Sequence, residues 1–444
     1  MKKLLIVLLS LGLVLAFSMT ASALDVKFSG QYYLTGAYWG NSGAVKEDDA
    51  TSRAFFYTRT RVQTVFKIAE GLDFTTRFDA LEKQWGQTNW KGGYSDESLS
   101  RPMPPAAKAP RHTQENFEFE RAYVTFKTAI GGFQIGYMQA DVWGTAFSNS
   151  ETTRPRIYYR LPLGPVDLNF VYEKFYESDT AIAYGATNRH ADADYDTYAF
   201  APVYKFKGGD TGVLFKYYVD HSRRGDLGYT TNVLYIAPYV KATFGPVYIE
   251  AELGYTGGKA AEFDAGGTDK DLEGWGGYIK AQGNFGPAFV GFQYGYASGD
   301  DGADADKTKT YPMGGGTSWN PAMLLLNDDL NTWGGGGAGT SNPTGITSKK
   351  YNMMLANLYA GFKVTPKFQI DGAITWAKAN EVADHWDEDL GFEFDLSFTY
   401  KIYDNLSYMA GAAYLVTGDY FKYGVAGKEI DNDYLLLNKL TLSF

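Results

Sequence analysis

Cysteine is absent from the 444 residues, which removes disulfides, thiolate metal sites and the acylated cysteine of a lipoprotein. Long apolar runs are nearly absent as well. The first, Leu4 to Phe17 behind Lys2 and Lys3, is about 14 residues, short of the roughly 20 that a spanning helix needs. No later run reaches the length of a membrane helix, so a helical membrane protein is excluded. Basic charge is not in excess: the net charge of −10 argues against nucleic acid as a partner. Histidine is scarce, with four in the chain, His112, His190, His221 and His385, all falling in expected loops or strand ends. The opening run softens into Ser18 to Ala23, with small residues at Ala21 and Ala23, which is the layout of a secretory signal peptide over 1–23, cleaved after Ala23. A membrane anchor is the alternative reading of that segment.

What the chain does have is aromatic side chains and glycine: 35 Tyr, 29 Phe, 9 Trp and 51 Gly. Its mean hydropathy is nonetheless slightly negative, as in soluble proteins. A transmembrane β-barrel produces this mixture, because only alternate residues meet lipid, aromatic girdles mark both interfaces and the lumen face stays polar. Period-two alternation recurs from the mature start to the last residue. Val26, Phe28, Tyr32, Leu34 and Tyr38 alternate with Lys27, Ser29, Gln31 and Thr35. Phe56, Val62, Phe66 and Ile68 alternate with Arg59, Arg61, Gln63 and Lys67.

Connections of two lengths alternate between these segments. Short turns read at Glu70-Gly71, Ile130 to Gly132, Leu163 to Pro165, Lys207 to Asp210, Gly245-Pro246, Gly286-Pro287, Thr365-Pro366 and Asp404-Asn405, where Gly, Asn and Asp supply positive φ and Pro fixes the turn entry. Long connections read near 40–52, 86–114, 141–153, 179–193, 223–230, 258–271, 299–350, 379–386 and 419–431. Short periplasmic turns and long outer loops are the asymmetry of outer-membrane barrels. The expected fold is therefore all-β, with 24–444 as a single transmembrane antiparallel β-barrel of about 18 strands, 16 being the alternative count.

The last strand, Tyr434 to Phe444, ends on phenylalanine with Leu442, Leu440 and Leu436 at every second position before it. It resembles the assembly signal of outer-membrane barrels, with Lys439 where that signal often has glycine. The resemblance implies that Leu440, Leu442 and Phe444 face lipid and engage the barrel-assembly machinery. Leu390-Gly391-Phe392-Glu393-Phe394-Asp395-Leu396 followed by Thr399 to Leu406, and more loosely Phe119 to Phe126, is similar to strands of porin-like proteins in the alginate-export family. That likeness implies an 18-stranded barrel and passive transport; alginate as substrate is not carried over.

If alternation assigns the faces, inward charge is lopsided. The second to sixth expected strands contribute Arg59, Arg61, Arg77, Arg121, Arg154, Arg156 and Arg160, although the alternation slips by one residue around Glu118 to Ala122. The eleventh to sixteenth contribute Glu250, Glu252, Asp371, Glu393 and Asp395, with Lys280 as the main exception. In a barrel of about 18 strands these sets face each other across the pore, which puts a field across it. Arginine suits the task, since it stays charged and holds carboxylates with two hydrogen bonds. Solvated wall charges or cross-strand ion pairs are the plainer reading of the same residues.

Two loops are long enough to narrow the pore. The one at 86–114 is basic and proline-stiffened; the one at 299–350 contains Asn320 to Leu326, where Asn320 as cap and Pro321 at the first position predict a helical turn. Asp300, Asp301, Asp304 and Asp306 lack the spacing of a calcium loop, so no metal site and no cofactor is expected. Asp220-His221 and Asp384-His385 are the places to look for a general base, but neighbours on a strand point to opposite faces, and no enzyme is expected.

The expectation is thus a porin of the bacterial outer membrane, passing small hydrophilic and preferentially anionic solutes. The alternatives are a specific or export barrel for acidic oligosaccharides and a structural barrel sheathing a partner protein. Implied partners are outer-membrane lipids and lipopolysaccharide, the barrel-assembly machinery and small solutes. Trimers are usual for general porins, so a homotrimer is one expected assembly; monomers are common among larger specific barrels.

Overall fold

The computed structural model describes residues 25–42, 51–86, 117–177, 193–311, 318–333 and 352–444. The expected signal peptide at 1–23, most of the loop at 86–114, parts of that at 299–350, and His112 and His190 lie outside the described residues.

In chain order the strands are β1 (Asp25–Ser42), β2 (Thr51–Ala69), β3 (Leu72–Gln84), β4 (Phe117–Thr128), β5 (Gly131–Gln139), β6 (Thr153–Leu163), β7 (Val166–Tyr176), β8 (Tyr195–Phe206), β9 (Gly209–Asp220), β10 (Tyr229–Phe244), β11 (Val247–Phe263), β12 (Lys270–Phe285), β13 (Ala288–Ala297), β14 (Lys307–Thr308), β15 (Met353–Thr365), β16 (Phe368–Ala379), β17 (Asp389–Tyr403), β18 (Leu406–Thr417) and β19 (Asp433–Ser443). β14 is a two-residue piece of loop lying parallel to β12, while β13 pairs directly with β15. The other eighteen strands pair antiparallel, each with the next, and β19 returns to β1 with Gln31 opposite Ser443 and Gly40 opposite Tyr434. The barrel is closed with 18 strands, so the count of 16 is set aside.

β17 illustrates why these residues form this wall. Phe392, Phe394, Leu396, Phe398 and Tyr400 are all exposed on the outside, while Glu393 between them is 0% exposed. In water that distribution would be inside out. In a bilayer the rings meet acyl chains and the opposite face meets the lumen. Along the outer surface Phe126, Phe133, Tyr159, Phe170 and Phe200 form a run of ring contacts from β4 to β8, with centroids 4.7–6.0 Å apart, which is how cross-strand aromatic pairs fix neighbouring strands.

The short turns fall on one rim. Gly245 and Gly286, each before a proline, take φ of 58° and 63°, the left-handed region in which a side chain would be strained. Where alternation slips, the sheet bulges. Arg77 opposes Arg121 but Phe78 opposes Phe119, leaving Glu120 as the extra residue. Outward residues are odd-numbered before the bulge, at Phe117 and Phe119, and even-numbered after it, at Val124. One inserted residue thus turns Glu120 and Arg121 to the same side, as bulges do.

Candidate functional site

All seven arginines of the basic set lie on β2, β3, β4 and β6, and six of them meet a carboxylate. Arg61 grips Asp79 with two hydrogen bonds of 2.8 and 2.6 Å. Arg59 meets Glu82 at 3.5 Å and Arg77 meets Glu120 at 3.0 Å. Arg154, Arg156 and Arg160 meet Asp141 at 2.7 Å, Glu173 at 2.8 Å and Asp167 at 2.7 Å. Only Arg121 among the seven has no hydrogen bond or ion pair to a described residue. The basic side is therefore a wall of ion pairs, the pairing given above as the plainer reading of these residues. Lys205 joins Asp167 at 2.7 Å, and Lys216 joins Glu173 at 2.6 Å. Sequence reasoning passed over Asp167, Glu173 and Lys216, although they share the inward parity of the arginines beside them and alternation alone selects them. Asp141 carries no such signal, because it sits past the end of β5.

Two residues of the acidic set, Glu252 and Glu393, are held by two loops folded into the lumen. The first, residues 140–152, crosses from β5 toward β10, β11 and β12. The Trp143 indole donates to the Ala237 carbonyl at 2.8 Å. Thr145 donates to Glu252 from both its N–H, at 2.8 Å, and its hydroxyl, at 2.7 Å. Phe147 stacks on Tyr278 with ring centroids 5.5 Å apart. The second loop brings Tyr311 and residues 318–333 across the opposite part of the lumen. Glu393 accepts the backbone N–H groups of Met323, Leu324 and Leu325, each at 2.7 Å. Its far end places Trp333 on Tyr57 of β2, stacked at 5.2 Å. The loops meet where Phe147 packs edge-on against Trp319 at 5.2 Å and Ser318 N–H donates to the Asn149 carbonyl at 3.0 Å.

The helical turn expected over Asn320 to Leu326 is not formed. Three successive N–H groups there point at one carboxylate instead of at carbonyls four residues back, which a helix requires. A short helix follows at Asp328–Trp333, where the Asn327 side chain accepts from Leu330 N–H at 3.0 Å. Leu324, Leu325, Leu326 and Leu330 are buried with Trp319 and Tyr311 in an apolar core inside the barrel. The wall makes room for it with glycine: a Cβ on Gly254 or Gly276 would lie 1.9 or 2.4 Å from the Tyr311 side chain, and one on Gly295 would lie 2.2 Å from Trp319. Replacing Gly276 with valine is expected to expel Tyr311 from this recess. Single-channel conductance should rise while the β-spectrum by circular dichroism stays unchanged.

Each loop borders a cavity. The first, about 560 Å³, lies between loop 140–152 and β6 to β10 and holds Arg154, Arg156, Arg160, Lys205 and Lys216 against Asp141, Asp167 and Glu173, a surplus of two positive charges. Burial would raise the Asp141 carboxyl, but Lys216 and Arg154 beside it hold it well below its usual range. The second, about 730 Å³, borders the loop segment at 320–329 and holds Asp328, Asp329, Asp371 and Asp395 against Lys280 and Lys439, a surplus of two negative charges. Glu250, bonded by the hydroxyls of Tyr248 at 2.7 Å and Tyr278 at 3.0 Å, lies in the wall near Lys280. Of the two Asp-His pairs, Asp220 accepts from the N–H and hydroxyl of Ser222, and His385 packs against Gly424.

No family model matches the chain and no curated protein matches it, so the likeness of its strands to alginate-export barrels gains no support there. Solved structures match along nearly the whole length. OccK1 of Pseudomonas aeruginosa is 11% identical with a TM-score of 0.51, over 94% of this chain and 99% of its own. OccAB4 of Acinetobacter baumannii is 10% identical with a TM-score of 0.50, over 96% and 100%. An anion-selective porin from Comamonas acidovorans is 12% identical with a TM-score of 0.46, over 95% and 100%. At such identity the likeness is one of fold: the chain has the barrel of outer-membrane porins. That fold and the apolar outer belt point to the bacterial outer membrane.

Proposed function

We propose that the chain is a passive channel for small hydrophilic solutes with a mild preference for anions. The observation that carries this reading is the surplus of two positive charges around the first cavity. Wall charge in a low-dielectric barrel raises the local concentration of the opposite ion. The neighbouring carboxylates offset much of it, so the preference is mild. The centre of the lumen holds the chain's own packed loops, which counts against a partner polypeptide threaded through it.

The test is reversal potential in a salt gradient across a planar bilayer. Attraction between unit charges at 4 Å is about 1 kcal/mol in a water-like medium. Replacing Arg154, Arg156 and Arg160 with glutamine should therefore lower the anion-to-cation permeability ratio roughly fivefold at low salt. Asp141→Asn should move it the other way, by freeing Arg154 and Lys216. Both effects should fade toward 1 M salt, where the Debye length shrinks to about 3 Å. Equal selectivity of all three proteins at low salt would rule out the wall charges as its source.

A second reading has its own observation. Trp143, Tyr158, Phe175, Tyr195, Tyr218 and Tyr235 line the same cavity, and Arg154 lies over the Phe175 ring at 3.5 Å. Rings and cations side by side suit an acidic oligosaccharide. On that reading uronic-acid oligomers should block the ion current at concentrations where neutral oligosaccharides do not.

A further inference from the structure

Arg121 departs from the pattern of its neighbours. It is 8% exposed, and no carboxylate among the described residues pairs with it; its Nε is sealed from solvent without a hydrogen-bond partner, as is that of Arg77. The carboxylates nearby are engaged elsewhere: Glu120 with Arg77 at 3.0 Å and Thr153 at 3.4 Å, and Asp79 with Arg61 at 2.6 Å. Glu151 bears on Arg121 only at a distance. Directly opposite Arg121 in the strand register stands Arg77, which is 5% exposed.

Like charges facing each other on one sheet face repel, and a buried ion without a counter-charge is costly. The bulge at Glu120 nevertheless turns Arg121 to this side; a regular strand would turn it to lipid. The arrangement is balanced when a compact anion sits against the two guanidiniums, with Arg121 supplying the nitrogens that Arg77 spends on Glu120. We propose that Arg121, backed by Arg77 across the strand pair, forms a binding site in the barrel wall for one compact anion, a halide or the carboxylate head of a small solute. This deepens the anion-preferring reading and rests on it for the route by which the anion arrives.

Chloride supplies the probe. Excess ³⁵Cl line broadening by the refolded protein in detergent reports bound chloride, and acetate added to the same sample distinguishes a halide-only site from one that takes carboxylate heads. Arg121→Gln should remove at least about half of the excess broadening, while Arg224→Gln, which alters an arginine paired with Asp264 at 2.7 Å outside both cavities, should leave most of it. Acetate displacing chloride in the wild type and not in Arg121→Gln assigns carboxylate heads to this site; no displacement restricts it to halide. Should the glutamine variant fail to refold, Arg121→Lys keeps the charge without the fork, and chloride affinity should fall roughly tenfold. The proposal is overturned if Arg121→Gln, or Arg121→Lys in its place, broadens chloride as the wild type does, or if Arg224→Gln loses as much. A wild type without anion preference in the bilayer would count against the channel reading and leave the chloride result standing.

Discussion

Replacing Glu393 with alanine is expected to give a wider and noisier channel without unfolding the barrel. Three N–H groups, those of Leu324 and Leu325 buried and that of Met323 half-buried, lose their acceptor, at up to about 1–3 kcal/mol each. Burial of Leu324, Leu325, Leu326 and Leu330 also holds the loop, but ordering its backbone costs conformational entropy at every residue, so the carboxylate helps decide whether the loop stays across the lumen. Glu393→Gln, which keeps one oxygen acceptor but places an NH2 against the remaining donors, should fall between. Single-channel conductance is the measurement, with circular dichroism to confirm intact strands. An alanine variant that conducts like the wild type would mean that leucine packing alone holds the loop.

The other large effect belongs to the last strand. Leu440 stands three residues before the end of β19, opposite Leu34 of β1 and Tyr408 of β18. An arginine on the lipid face costs up to about 2–4 kcal/mol, less toward the rim, and here it would also load the seam that closes the barrel. Deleting Phe444 should act in the same direction, because its N–H and carbonyl bond Gly30 at 3.0 and 2.8 Å and its ring is exposed outward. Both variants should sharply lower the amount of folded, heat-modifiable protein in the outer-membrane fraction, with Leu442→Arg, nearer the rim, affected less. Insertion at the wild-type level would show that the terminal pattern is incidental.

The wall was legible because its rule is local. A two-residue period needs only neighbours to be read, and turns such as Gly245-Pro246 announce themselves by residue type. Legibility ends where both faces are wet: β11 continues to Phe263, past the expected limit at 257, because beyond the lipid a ladder persists without an apolar side. The bulge at Glu120 was visible only as a slip in parity. The site was half legible. Inward arginines follow from alternation, but their pairing with Asp141 and the capture of Met323 to Leu325 by Glu393 join segments far apart in sequence. Asn320-Pro321 carries a sound helix-start signal, and a wall carboxylate on β17 outcompeted it for the N–H groups.

The seam between β1 and β19 also constrains the order of events in the life of the chain. Trp39 donates to the Asp433 carboxylate at 2.7 Å across 394 positions of sequence. Such a contact is non-local in the extreme, and it cannot form until β19 has been made and delivered. Until then the growing sheet has two open edges, each a template for pairing with another copy. The chain must therefore cross the periplasm unfinished, and it depends on being held apart from its own kind until its two ends meet.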